Sequence, residues 1–373
     1  LHFTQHTPPT PGQPEKLPRV IPVAVGLLGP NGDEVQETVI CEVTEARQSF
    51  TFDGLSGRRV PSILRDFSAP VIVERDTDNA ERAFLLAHDT DPCNKWEAGR
   101  ALAREALVAM ILDDAAPDPA YLDAVAAMAR DDSLDPAFRA LALDLPGQDD
   151  LAQTIHARGH TPDPDAIWAA LEALRDARAA RMEELAHELF AAHQVTAPYR
   201  PDAAQSGARA LANAALAMIT RRDGGAAAQA QFEQATNMTL QLAGLANLLR
   251  AGRGAAAARA FYDQWRDDRL VIDKWFSLQV VQADPEDTAD IARRLTEHPD
   301  FEMKNPNRFR AVLGALSMSQ AGFHHASGKG YTLLADWLIR LDPVNPQTTA
   351  RLCTAFETWR RFDGNRQALI RRE

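Results

Sequence analysis

Two groups of histidines come near a metal-binding spacing in this chain of 373 residues. A zinc hydrolase helix needs His-Glu-x-x-His, which sets two imidazoles on one face with a carboxylate beside them to activate water. His187-Glu188 opens such a pattern, but the next imidazole is His193. Six residues of helix carry it about 9 Å along the axis and a third of a turn around, out of reach of a shared ion. His156 and His160 have the right spacing, but Ala157 stands where the base should be, and Gly159 and Thr161-Pro162 mark a loop. Neither group is expected to hold a metal.

Nucleophile and phosphate chemistry fare no better. No serine or cysteine sits in a nucleophile elbow. Gly252-Arg253-Gly254 and Gly328-Lys329-Gly330 lack the spacing of a phosphate loop, and no strand pattern precedes them. They read as loops, as does His324-His325 ahead of Ala326-Ser327-Gly328. Only three cysteines occur (Cys41, Cys93, Cys353), at wide spacing, which indicates neither a disulfide framework nor a thiolate metal site and fits a cytoplasmic protein. A net charge of −12 argues against a nucleic-acid partner. No apolar run approaches the roughly 20 residues of a membrane span, so no membrane partner is expected. With 45% hydrophobic and 25% charged residues the chain can bury a core, and its length asks for two domains or a domain plus a repeat array.

The elements that would position any site change character along the chain. From residue 1 to 75 the sequence is rich in Pro, Gly and β-branched residues. Val20 to Leu28, Thr38 to Val43, Ser49 to Phe52 and Val60 to Leu64 read as strands, with turns at Pro30-Asn31-Gly32 and Asp53-Gly54. This predicts an Ig-like β-sandwich, incomplete at its start. From residue 76 to 373 alanine dominates and the apolar period lengthens. Ile167, Leu171, Leu174, Met182, Leu185 and Leu189 predict one long helix with a break at Arg178, opened by Asp163-Pro164. Trp96 to Leu112, Tyr121 to Ala129, Ala203 to Ile219, Ala256 to Trp265 and Tyr331 to Leu341 repeat the pattern. No fixed repeat length emerges, so the expectation is a large all-α superhelix, an irregular HEAT-like array. The opening at Leu1 without Met and the close at Arg371-Arg372-Glu373 inside a helical pattern point to a segment of a longer chain.

Specific segments say more than composition does. The stretch from Phe3-Thr4-Gln5-His6 to Leu17-Pro18, leading to Ile21-Pro22, closely resembles the segment that opens the sandwich after the catalytic domain in the bacterial aminopeptidase N family. Ser62-Ile63-Leu64-Arg65-Asp66-Phe67 through Val71 resembles a segment near that sandwich's last strand. In the helical part, Trp96-Glu97-Ala98-Gly99, Asn237-Met238-Thr239, Asp273-Lys274-Trp275-Phe276, Asn305-Pro306-Asn307-Arg308-Phe309-Arg310, Asn345-Pro346-Gln347 and Ala350-Arg351-Leu352 are similar to the same family's carboxy-terminal domain. The matches run in order along nearly the whole chain.

The resemblance implies a zinc exopeptidase of four domains that removes single residues from peptide amino termini. This chain would correspond to most of the third and fourth. The family's zinc ligands, glutamate base, tyrosine and Gly-Ala-Met-Glu-Asn segment have no counterpart here. The chain alone is therefore expected to be inactive, to hold no cofactor, and to partner the catalytic and amino-terminal domains of its parent together with peptide substrates. In that family the last domain closes over the catalytic one and encloses the peptide cavity. Gln347 resembles the glutamine that closes the pocket for the substrate's first side chain. Arg310 and Arg351 resemble two arginines lining the side where the peptide runs on, where a guanidinium can hold a carbonyl or terminal carboxylate. Sequence chemistry alone favours surface ion pairs for both arginines and a helix-cap role for Gln347; the positional match favours the cavity. Trp275, Trp96 and Met238 read as core. A free-standing helical adaptor that binds another protein along a concave face is the alternative.

Overall fold

A computed structural model describes every residue except Ser56 and Arg58. The first 63 residues hold five short strands: β1 (His2–Thr4), β2 (Ile21–Leu28), β3 (Glu34–Val43), β4 (Arg47–Ser49) and β5 (Val60–Ile63). β1 and β4 form one antiparallel pair; β2 lies between β3 and β5 in a second antiparallel sheet. Val23, Val25 and Leu27 point to one face of β2 and join Cys41 and Val43 in a core that Phe3, Phe50 and Phe52 also reach. Ala24 and Leu28, on the other face, are buried as well. Burial on both sides explains why β2 reads as a continuous apolar run rather than an alternating one.

The expected strand at Ser49 to Phe52 is shorter and earlier, Arg47–Ser49. Phe50, just past the strand, still donates its N–H to the Leu1 carbonyl, and its ring meets Phe3 edge-on at 5.9 Å. Val20 lies outside β2 and is 70% exposed.

Gly26, beside a register shift in β2, is required by a close approach. A Cβ there would lie 2.1 Å from Cζ of Arg65. That buried guanidinium donates to Ser62 Oγ at 2.8 Å and pairs with Glu34 and Asp89, while Asn94 donates to the same Ser62 at 2.7 Å. These contacts tie the helices Asn79–His88 and Pro92–Leu112 to the sheet. Packing accordingly divides the chain into Leu1–Glu105 with Pro119–Ser133, and Ala106–Asp118 with Leu134–Glu373, whereas the change from strands to helices falls between Ile63 and Asn79.

The second unit is helical throughout. Its helices pack mainly on sequence neighbours: Ala226–Gln234 on Met238–Arg250, then Ala255–Trp265, Arg269–Val281, Pro285–Thr296 and Lys329–Leu341 in succession, with Pro346–Cys353 against Lys329–Leu341. One core runs from Leu216 through Phe261, Phe276, Phe309 and Leu334 to Leu352. Asp163 caps the helix Pro164–Arg181, with its side chain accepting from Asp165 N and Pro164 in the first turn, as expected. The interruption falls at Met182, not Arg178. Met182 leaves helical geometry (φ −110°, ψ 19°) before the next helix, Glu183–Ala192, begins. The helix continues through Arg178, whose carbonyl still accepts from Met182 N.

No helix among the described residues is long and apolar enough to cross a membrane.

Candidate functional site

Asn305 starts the turn that carries Arg310. Its side chain accepts from the N–H groups of Asn307 and Arg308, and Pro306 fixes the first turn of the short helix Pro306–Phe309. The chain then widens into a π turn, Arg310–Gly314, before resuming as Ala315–Met318. The carbonyl of Ala311 within that turn is taken by Ser277 Oγ at 3.0 Å, and such π turns recur at functional sites.

Successive residues of this turn face opposite ways. Arg308 and Phe309 are buried. Arg308 pairs with Asp273, donates to the carbonyls of Asp300 and Arg269, and lies 4.8 Å over the ring of Phe276. Two of the matched segments, 273–276 and 305–310, thus meet through one ion pair. Arg310 is exposed and turned outward. Its Nε donates to the Pro306 carbonyl at 3.1 Å and its Nη2 to Asn307 Oδ1 at 2.6 Å.

Gln347 and Arg351 lie on the helix Pro346–Cys353. Asn345 is its cap, accepting from Thr348 N at 3.0 Å, so the capping role belongs to Asn345 and not to Gln347. Thr349 and Leu352 turn inward, while Gln347 and Arg351, four residues apart, share the exposed face. Arg351 in the last turn also complements the helix dipole. Gly314, one turn after Arg310, meets this helix at Leu352, where a Cβ on the glycine would lie 4.0 Å from Leu352 Cδ2. Among the described residues neither arginine has an ion-pair partner, and the side chains of Gln347 and Arg351 bond to nothing in the chain. Gln347 and Arg351 thus stand outward on their helix, and Arg310 is held only from within its own turn.

The histidines singled out by spacing do not assemble. His156 lies in the helix Gln148–Ala157 and His160 in the loop after Gly159. His193 ends its helix with Nδ1 2.9 Å from the Leu189 carbonyl. No group of three His, Cys, Asp or Glu side chains among the described residues could hold a metal ion, so the residues present do not fit a zinc site. His324 lies in the turn between the helices Gln320–Phe323 and Lys329–Leu341, as expected, but it is not a surface residue. It is 1% exposed, packed 4.2 Å from the ring of Phe362, with Nδ1 2.9 Å from the hydroxyl of Tyr331. Burial, aided by the Arg361 and Arg366 cations, pushes its pKa down to about 3. The buried Arg366 donates to the His324 carbonyl at 2.6 Å and pairs with Asp363 and Asp165 nearer the surface, which anchors the helix Gly364–Arg372. His325, its neighbour in the same turn, is only half-buried, with Nδ1 2.9 Å from Ser327 Oγ.

Trp275 is core as expected, its indole N–H donating to the Ala258 carbonyl at 2.8 Å. Met238 is half-buried against the same core, and Trp96 is half-buried on a cleft wall beside Arg104. A polar cleft of about 370 Å³ lies by Asn305, lined by Arg269, Asp300, Glu302 and Arg308. Arg269 pairs there with Glu302, and Arg308 with Asp273.

Sequence reasoning left Asn307 unassigned. Its signal was present: an amide three residues ahead of an arginine in a first helical turn.

Residues 1–76 match the domain of unknown function DUF3458, Ig-like fold, and residues 79–373 match its companion DUF3458_C, ARM repeats. Aminopeptidase N of Caulobacter vibrioides is 38% identical over 347 residues, which is 91% of this chain and 40% of that protein. Aminopeptidase N of Escherichia coli is 32% identical over 391 residues, 100% of this chain and 44% of the relative. The crystal structure of Legionella pneumophila aminopeptidase A in complex with aspartic acid superposes with a TM-score of 0.84 at 28% identity, covering 94% of this chain and 42% of that one. The chain spans less than half the length of the relatives it matches. It belongs to the DUF3458 family, an Ig-like region followed by ARM-type helices, and corresponds to the carboxy-terminal part of aminopeptidase N proteins.

Proposed function

We propose that this chain serves as the cap and cavity wall of a zinc aminopeptidase, with Gln347, Arg351 and Arg310 facing the bound peptide. In this reading Gln347 bounds the pocket for the amino-terminal side chain, and the two arginines hold a backbone carbonyl or carboxylate further along. Closing such a cavity removes bulk water and strengthens each of these contacts. The observation that carries the proposal is the outward face of the helix Pro346–Cys353, where Gln347 and Arg351 are spaced one turn apart with no side-chain partner among the described residues.

The catalytic zinc belongs, on this proposal, to a part of the full-length chain beyond these residues, because nothing among them fits a metal. The peptide, and the amino-terminal and catalytic parts of the same protein, are its partners. A reducing cytoplasm suits it, since all three cysteines are free thiols and Cys93 and Cys353 are exposed.

The test is Arg351→Ala in the full-length enzyme. We expect KM to rise about ten-fold for tetrapeptides, the loss of one charge-assisted hydrogen bond. A single-residue anilide, which ends before Arg351, should be hydrolysed as before. Equal losses on both substrates would remove Arg351 from the peptide path.

A further inference from the structure

We infer that Asn307 is a positioning residue, which fixes the Arg310 guanidinium so that one chosen edge is presented to the peptide. The inference rests on the cavity role proposed for Arg310 and adds how that side chain is aimed.

A guanidinium has two bidentate edges, one formed by Nε with Nη2 and the other by Nη1 with Nη2. In Arg310 the first edge is occupied from within its own turn. Nε donates to the Pro306 carbonyl at 3.1 Å, and Nη2 donates to Asn307 Oδ1 at 2.6 Å. Among the described residues nothing bonds Nη1, so the terminal fork is left to a ligand.

The surrounding turn is built to keep that arrangement. Asn305 and Pro306 fix the backbone that supplies the carbonyl and carries Asn307. Arg308, between them, is locked in the interior by Asp273 and the carbonyls of Asp300 and Arg269. The Arg310 stem rests against Gly314, where a Cβ would come within 3.3 Å. A free arginine loses rotamer freedom when it binds; one held on its inner edge has lost part of it already. The amide oxygen does this without adding a negative charge, which would weaken the attraction for a carboxylate. An end-on fork suits a planar, two-oxygen acceptor, so the preferred ligand group is the free carboxylate at the far end of a short peptide.

Asn307 is exposed and its own N–H is held by Asn305, so it can be replaced without disturbing the core. In the full-length enzyme, Asn307→Ala should raise KM about five-fold for peptides with a free carboxyl terminus. kcat, anilide hydrolysis and melting temperature should stay at wild-type values. Asn307→Asp restores the acceptor oxygen and should reverse only part of that rise in KM, because its added negative charge opposes the peptide carboxylate. In an Arg310→Ala background, Asn307→Ala should add nothing.

Each contrary result identifies what fails. If Arg310→Ala leaves peptide KM unchanged, the cavity role of Arg310 is wrong and the inference goes with it. If Arg310→Ala raises KM and Asn307→Ala does not, or if the two effects simply add, the positioning role alone is overturned.

Discussion

Arg308 and Arg310 are separated by one residue and put to opposite uses. Arg308 faces inward, 5% exposed, with a carboxylate, two carbonyls and an aromatic face around it. Arg310 faces outward, held on one edge only. The same division holds across the helical unit: His324, Tyr331 and Arg366 form a buried polar cluster, while Gln347 and Arg351 stand on the surface without partners among the described residues. The difference teaches that charge count is a poor guide to function here. A buried, fully partnered arginine holds the array together, and an exposed, partly held one is free to act on something else.

The division makes the inner residues matter for stability and the outer ones for peptide binding. The largest effect is expected at Arg308→Ala, which strands Asp273 and removes packing from Phe276. Urea unfolding should show a loss of about 3 kcal/mol, with the KM of surviving enzyme for peptides close to normal. A peptide-specific defect in this variant, with stability intact, would erase the distinction between the two arginines.

Next comes the buried histidine. His324 is neutral in the folded chain because its pKa lies near 3 instead of the usual 6.5. Unfolding lets it take up a proton at any pH between those values, so its contribution is complete above pH 6.5 and is lost progressively as the pH falls. Between pH 7 and pH 4.5 it should cost about 2–3 kcal/mol of stability. His324→Gln should be less stable at pH 7 but should flatten that part of the pH dependence. A variant whose stability falls as steeply as the wild type would show that other groups set the acid limit.

The smallest effect is expected at Gln347→Ala. Stability should stay within about 0.5 kcal/mol, and the change should appear as altered preference among amino-terminal side chains. Equal kcat/KM ratios across a set of amino-acid anilides would take Gln347 out of that pocket.

The elements were more legible in the sequence than this division, for physical reasons that differ by element. The cap at Asp163 could be read because Asp-Pro marks a first turn directly, and Asn305-Pro306 and Asn345-Pro346 carry the same unread signal. The helices of the second unit followed from their period. The break at Met182 was displaced because the apolar pattern continues through Arg178 to the end of its helix, and only the backbone angles register the interruption. Phe50 and Phe52 resembled strand residues because aromatic side chains fill a β core from a loop as well as from a strand. His324 could not be told from His325, since a ring stacked on Phe362, whose partners come from distant segments, leaves no local signal. The outward facing of Gln347, Arg351 and Arg310 was hidden for the same reason: periodicity separates the faces of a helix, but not a paired arginine from a free one.

The most direct test of the central claim is to photo-cross-link a tetrapeptide bearing a photoreactive group at its last residue to the full-length enzyme and map the adduct by mass spectrometry. The account predicts label on the segments 305–310 and 345–353, competed away by unlabelled peptide. Competed label that never falls on either segment would contradict it.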